Sequence, residues 1–345
     1  MNQNKSNIAL IITVDYETWH AENNDYEQIF EKYHLKIDWE KDIIANAYKL
    51  MDCAEKLGIK LTFMIEMCEY IWLKENNAII AEKIAHQIQD IVIRGHDVQL
   101  HTHPHWMPET GAKFLNGKWI WNCEFACPEN YPGNLDDMIS VCKRELENIV
   151  QRVKPEYKVT CFRSGTYLVQ PFRRLSKALM KNNIFVDSSV FRGGYSTERG
   201  YNFKKCKYAN GVYHADLDNP AIEDKSSSMY EVPIFAYHRN RRWSFDYEQP
   251  FGNLLLLYAN KYLRRGKNVF VMVGHTKTID KLDTFSEQIN LVKKHFEVSW
   301  CTLGELNSKI ELCELSEETQ KVKLSKRIGA FANLLVYRIK RKLSK

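Results

Sequence analysis

The stretch GHDVQLHTHPHW, residues 95–106, places four of the chain's 11 histidines within twelve positions. Imidazole is the commonest protein ligand for transition metals, and its charge changes nearest neutral pH, so the cluster points to metal binding or proton transfer. In an extended chain Gln99, His101 and His103 share one face, and Val98, Leu100 and Thr102 share the other. Pro104 cannot supply a ladder N–H and restricts the residue before it, so the strand should end there and the chain bend. That bend can return His105 toward His101, which leaves His103 and His105 as alternative second ligands. A carboxylate from the first strand would complete a two-histidine, one-carboxylate set with positions open to water, as catalysis requires.

The elements that must hold these groups follow from the apolar pattern. Segments 8–15, 59–66, 96–102, 158–163, 183–189, 230–235, 268–275 and 297–303 are rich in β-branched and aromatic residues and read as strands. Helical patterns lie between several of them, at 42–58 with Gly58 as its stop, at 134–153 and at 283–296. Repeated strand and helix predicts a mainly parallel α/β sheet, open or closed into a barrel, whose ligand site lies beyond the carboxyl ends of the strands. The first strand ends in Asp15-Tyr16-Glu17, the third in the histidine cluster, the fourth in Arg163, the fifth in Asp187 and the seventh in His275. Together these are the residue types that bind a metal, move protons and orient charge.

The 345 residues are 44% hydrophobic, with 8 Trp, 18 Tyr and 16 Phe, enough for a large core and too apolar for disorder. The apolar run Ile8–Val14 is too short for a signal or a membrane span, and nine cysteines without framework spacing suggest reduced thiols in a cytoplasmic protein. Cys123 and Cys127 are read as free thiols, since no second pair stands near to complete a structural site. Two segments break the alternation: the aromatic-rich 106–133 and the Gly-, Tyr-, Asn- and Ser-rich 192–229. No glycine-rich phosphate loop or internal repeat is present, which removes support for the common kinds of nucleotide binding.

Five motifs in order, TVDYE, HTHPH, FRSGTY, FVDSS and MVGH, resemble those of the polysaccharide deacetylases of the NodB-homology type, over about residues 8–310. The resemblance implies a distorted (β/α)7-type barrel with long loop insertions, and a divalent metal, usually zinc, used to hydrolyse acetyl groups on sugars. It assigns Asp15 as catalytic base, Glu17, His101 and His105 as metal ligands, and Arg163 as the group orienting the base. Asp187 becomes the partner of His275, and His275 the general acid. Two departures stand out: Tyr16 separates the acids that are commonly adjacent, and the third motif reads RSGTY. Trp19, Trp106, Thr166 and Tyr167 are the expected substrate contacts, with Trp119, Trp121, Phe125 and Tyr131 as a sugar-stacking wall or, equally, a satellite core.

The expected organisation is a catalytic domain over 1–310 and a basic amphipathic helical extension over 311–345. From Lys321 to Lys345 there are nine basic residues and no acid, with Leu324, Ile328, Phe331, Leu335 and Ile339 at helical spacing. That pattern suits a helix lying on an anionic membrane surface, at the inner face of the cell membrane, or else a helix docked on the body with a solvated charged face; no nucleic-acid partner is expected. The function expected is metal-dependent deacetylation of a sugar or glycan intermediate in surface polysaccharide biosynthesis. The alternatives are a metal-independent cyclic amide or imide hydrolase of the same fold and an inactive glycan-binding protein.

Overall fold

The computed structural model describes residues 6–18, 37–115, 118–120, 122–197, 199–238, 241–242, 251–262, 268–279, 282–307 and 324–343. Nine strands form the main sheet: β1 (Ser6–Tyr16), β2 (Thr62–Glu66), β3 (Asp97–Thr102), β4 (Cys161–Ser164), β5 (Val186–Asp187), β6 (Tyr213–His214), β7 (Tyr230–Glu231), β8 (Val269–His275) and β9 (Phe296–Trp300). Their order is β6-β7-β5-β4-β3-β2-β1-β8, parallel except at β6–β7. β1 is shared along its length, with Ser6–Leu10 beside β9 and Thr13–Tyr16 beside β2. Ile234 makes single parallel bridges to Phe191 and to Val271 of β8. The two ends of the sheet therefore meet, and the sheet curls into a distorted barrel.

The helices are α1 (Asn46–Lys56), α2 (Met67–Asn76), α3 (Ala78–Ile93), α4 (Leu135–Gln151), α5 (Arg173–Lys181), α6 (Phe251–Tyr262), α7 (Leu282–His295), α8 (Leu303–Asn307) and α9 (Leu324–Leu343). α1 stops where the chain turns left-handed at Gly58 (φ +61°), whose N–H donates to the Glu55 carbonyl. α4 begins at Asn134, whose side chain accepts from the N–H groups of Asp136 and Asp137. Its buried residues, among them Leu135, Met138, Ile139, Cys142 and Leu146, recur at the helical period. Over Ile8–Ile12 of β1 and Val269–Val273 of β8 both faces are apolar, because each strand is buried from both sides there.

The insertion after β3 folds as short 3-10 turns and a hairpin of Lys113–Leu115 with Lys118–Ile120. Trp106 and Tyr131 are buried within it, so at these two residues the insertion is a satellite core and not a sugar-facing wall. Trp19, Trp121 and the side chain of Trp119 lie outside the described residues, as does the expected boundary at 310/311. α9 packs against α6, with Ala330 and Leu334 buried and Asn333 Nδ2 donating to Asn253 Oδ1 at 3.4 Å.

Candidate active site

Register places the chemistry in one band at the carboxyl ends of the strands. Asp15 is level with His275 across β1–β8, Glu66 with His101 across β2–β3, and His101 with Arg163 across β3–β4. Alternation puts Thr13, Asp15 and Glu17 on the same face of β1. Tyr16 points the other way, and its hydroxyl donates to Gln87 Oε1 of α3 at 2.7 Å.

Arg163 is fully buried and ties the acids to the barrel. Its Nη1 donates to Asp15 Oδ1 and to Thr13 Oγ1, both at 2.7 Å; Nε donates to the Ser188 carbonyl at 2.8 Å, and Nη2 to Ser188 Oγ at 3.1 Å. Burial alone would raise the pKa of Asp15, but the charges of Arg163, His101 and His275 outweigh it and hold the carboxyl below its ordinary value. Asp15 is therefore ionised at neutral pH.

Glu17 stands at the centre. Its Oε2 lies 2.9 Å from His101 Nε2 and 2.8 Å from His103 Nε2, while Lys277 Nζ donates to Oε1 at 2.7 Å. His101 Nδ1 meets the Arg163 carbonyl at 2.9 Å, which fixes it as the protonated nitrogen and turns Nε2 toward Glu17. With neutral imidazoles, lone pairs of nitrogen and oxygen converge at this point, and either protons or a cation must satisfy them. In the absence of a cation the proton goes to His101: burial disfavours the imidazolium, but the Glu17 hydrogen bond and the charges of Asp15 and Glu17 raise its pKa to about 9. Ligand atoms of Glu17, Glu66, His101 and His103 lie within 4.8 Å of one another, a donor set that fits a divalent ion.

The second imidazole of that group is His103, where the motif spacing points to His105. The extended alternation runs on through His103 (φ −119°, ψ 90°), and His105 follows in the Pro104–Trp106 turn. The His103 and His105 rings are 5.3 Å apart, and His105 stacks on Trp106 at 6.0 Å and 25°. Burial and the neighbouring His103 keep His105 neutral, its pKa well below the ordinary value. Trp106 thus backs a histidine and is too deep to touch a substrate.

Asp187 also differs from its expected place. It accepts from Ser189 Oγ at 2.6 Å and stands beside Glu231, its register partner on β7. Burial raises the pKa of both, Glu231 far above the ordinary carboxyl range, so the pair carries a proton. The carboxylates beside His275 Nε2 are instead Asp15 Oδ2 at 3.6 Å and Glu17 Oε1 at 3.7 Å. His275 (13% exposed) and Lys277 (11%) are the more open groups of the cluster, next to Glu17 at 4%.

Sequence reasoning missed Glu66, Lys277 and the task of Gly165. A Cβ at Gly165 would fall 2.4 Å from the His103 ring, so the RSGTY departure makes room for that histidine. Thr166 and Tyr167 follow with φ of 49° and 63°, a left-handed pair that β-branched and bulky residues rarely adopt. Thr166 is half-buried and Tyr167 buried. Glu66 had a usable signal, because it ends the second strand as Glu17 follows the first.

No protein-family model and no curated protein sequence matches the chain. Solved structures do. A candidate polysaccharide deacetylase of Mycobacterium smegmatis superposes with a TM-score of 0.53 at 11% identity, over 93% of this chain and 95% of the other. A candidate glycoside hydrolase/deacetylase of Parabacteroides distasonis gives 0.54 at 11% identity, over 90% and 72%. The curled parallel sheet and these likenesses show that the chain shares the fold of these proteins, a distorted (β/α) barrel.

Proposed function

We propose that the protein is a metal-dependent hydrolase that removes an acetyl group, in the first instance an N-acetyl, from a sugar or glycan intermediate of surface polysaccharide assembly. The observation that carries this reading is the pairing of an Arg163-held Asp15 with His275 on the neighbouring strand, beside a Glu17–His101–His103 donor set. A divalent ion held there, zinc being the family's usual one, would acidify a water and polarise the acetyl carbonyl. Asp15, kept ionised and aimed by Arg163, takes a proton from the attacking water. His275 gives a proton to the departing nitrogen, a poor leaving group without it. Lys277 fixes Glu17 by its second oxygen. Thr166 and Tyr167, from the third motif, are proposed to meet the substrate.

The test is acetate release from N-acetylated glycans by metal-loaded protein, with His101→Ala and Asp15→Asn as controls. Activity retained in His101→Ala, or after complete chelation, refutes the metal mechanism. One observation favours a second reading, a metal-independent amide hydrolase: the Lys277 ammonium already neutralises part of the Glu17 charge. Bound metal well below one equivalent in active protein would select it.

Peripheral membrane contact is part of the same proposal. Outside its α6-facing side, α9 exposes Leu324 (68%), Ile328 (61%), Phe331 (54%) and Ile339 (55%) in a sequence rich in Lys and Arg. No described helix is long and apolar enough to cross a membrane, so this one would lie in the interface. Flotation with anionic liposomes, full-length against a chain stopped before Lys321, checks it; equal binding refutes it.

A further inference from the structure

Glu66 ends β2 and caps the helix that follows. Its Oε1 accepts from the N–H groups of Cys68 (2.8 Å) and Glu69 (3.2 Å), which open α2. The other oxygen, Oε2, is buried and makes no hydrogen bond, although the His103 backbone N–H faces the same carboxyl. A buried carboxylate oxygen with no donor is costly unless something else answers it. A ligand atom of this residue lies with those of Glu17, His101 and His103 in one group. The capping bonds hold the carboxyl rigidly, and the helix needs only one of its two oxygens.

From this juxtaposition we infer that Glu66 is a fourth protein ligand and gives the site a preference for a six-coordinate ion over zinc. The inference rests on the metal-dependent reading proposed above. Two imidazoles and two carboxylates fill a tetrahedral ion completely and leave no place for water. The same four leave two positions open on a six-coordinate ion such as Mn2+ or Co2+, and carboxylates favour the harder metals. The second carboxylate also balances the ion's charge while Lys277 partly neutralises Glu17.

The test is direct metal binding by full-length apo-protein, wild type against Glu66→Gln, by calorimetry with Mn2+, Co2+ and Zn2+ and by the Co2+ visible spectrum. Gln keeps an oxygen for the α2 cap, and circular dichroism checks that the fold survives. The expected result is Mn2+ affinity weakened roughly tenfold or more, Zn2+ affinity less changed, and a Co2+ spectrum moving from six-coordinate toward lower coordination. Unchanged affinities and spectrum in Glu66→Gln, alongside lost binding in Glu17→Gln, overturn the role of Glu66 and leave the metal reading standing. Wild-type protein that binds none of the three ions overturns both. A Glu66→Gln variant that fails to fold is replaced by Glu66→Asp, whose shorter carboxylate must likewise shift the Mn2+ to Zn2+ affinity ratio; an unshifted ratio overturns the inference.

Discussion

Replacing Arg163 by Met keeps the length and apolar bulk of the side chain and removes its charge. Four hydrogen bonds go with it, to Asp15, Thr13 and Ser188 (the last through both carbonyl and hydroxyl). The larger effect is the Asp15 carboxylate left buried without its guanidinium; removing one partner of a buried pair costs roughly 3–5 kcal/mol. With burial no longer opposed by the Arg163 charge, the folded-state pKa of Asp15 rises. A group whose folded pKa exceeds its unfolded value stabilises below the unfolded value and loses that stability as pH rises through the folded one. The Arg163→Met penalty is therefore largest near pH 7.5 and shrinks toward pH 5. Urea unfolding at both pH values measures it, with Asp15→Asn and the double variant completing the cycle. In the double variant the unpaired charge is gone, so the added cost of losing Arg163 should fall by about half or more, toward the ~1 kcal/mol scale of single hydrogen bonds. A penalty below about 1 kcal/mol at pH 7.5, or one that Asp15→Asn leaves unrelieved, refutes the assignment of Arg163 as counter-ion to Asp15.

Gly165→Ala drives a Cβ into the His103 ring; the expected cost is about 1–3 kcal/mol of overpacking, read by thermal unfolding, and His103→Ala in the same background should recover most of it. His96 is buried with its pKa lowered to about 4, chiefly by burial, while its Nδ1 accepts the Leu61 N–H at 3.2 Å. The unfolded chain takes up this proton first, so stability falls as pH drops through 6.5 toward 4, by on the order of 2 kcal/mol between pH 7.5 and 5. His96→Gln should flatten that part of the stability-pH curve, and an unchanged slope would dismiss His96 as its source.

The strand ends were readable because β-branched runs close in polar residues, and the period of two put His101 and His103 on one face. The donor group contains His103, where motif spacing favoured His105. Asp187 was misplaced for a different reason. Its true neighbour, Glu231, arrives from a two-residue strand forty-four positions later, a pairing that register sets and no local pattern announces. Helices α2, α3, α5 and α6 were not marked, and α2 carries almost no one-sided pattern since it is buried on most of its faces. The basic tail was legible as an amphipathic helix and docking on the body was one of its readings, but the docking residues Ala330 and Leu334 look like any other apolar positions.

The barrel is zipped unevenly around its circumference. β1 and β8 match seven residues and β2 and β3 five, whereas β5, β6 and β7 are two-residue strands and Ile234 joins the ends by single bridges. Asp15, Glu17, Glu66, His101 and His275 all belong to the stiff arc, so their mutual distances should survive breathing of the rest. The compliant arc, with its seam at Ile234, is then where the bore can widen for a bulky substrate without loosening the reacting groups. Amide exchange should follow this asymmetry, fastest at Ile234 and Phe235 and slowest in the middle of β1; uniform protection around the barrel would exclude it.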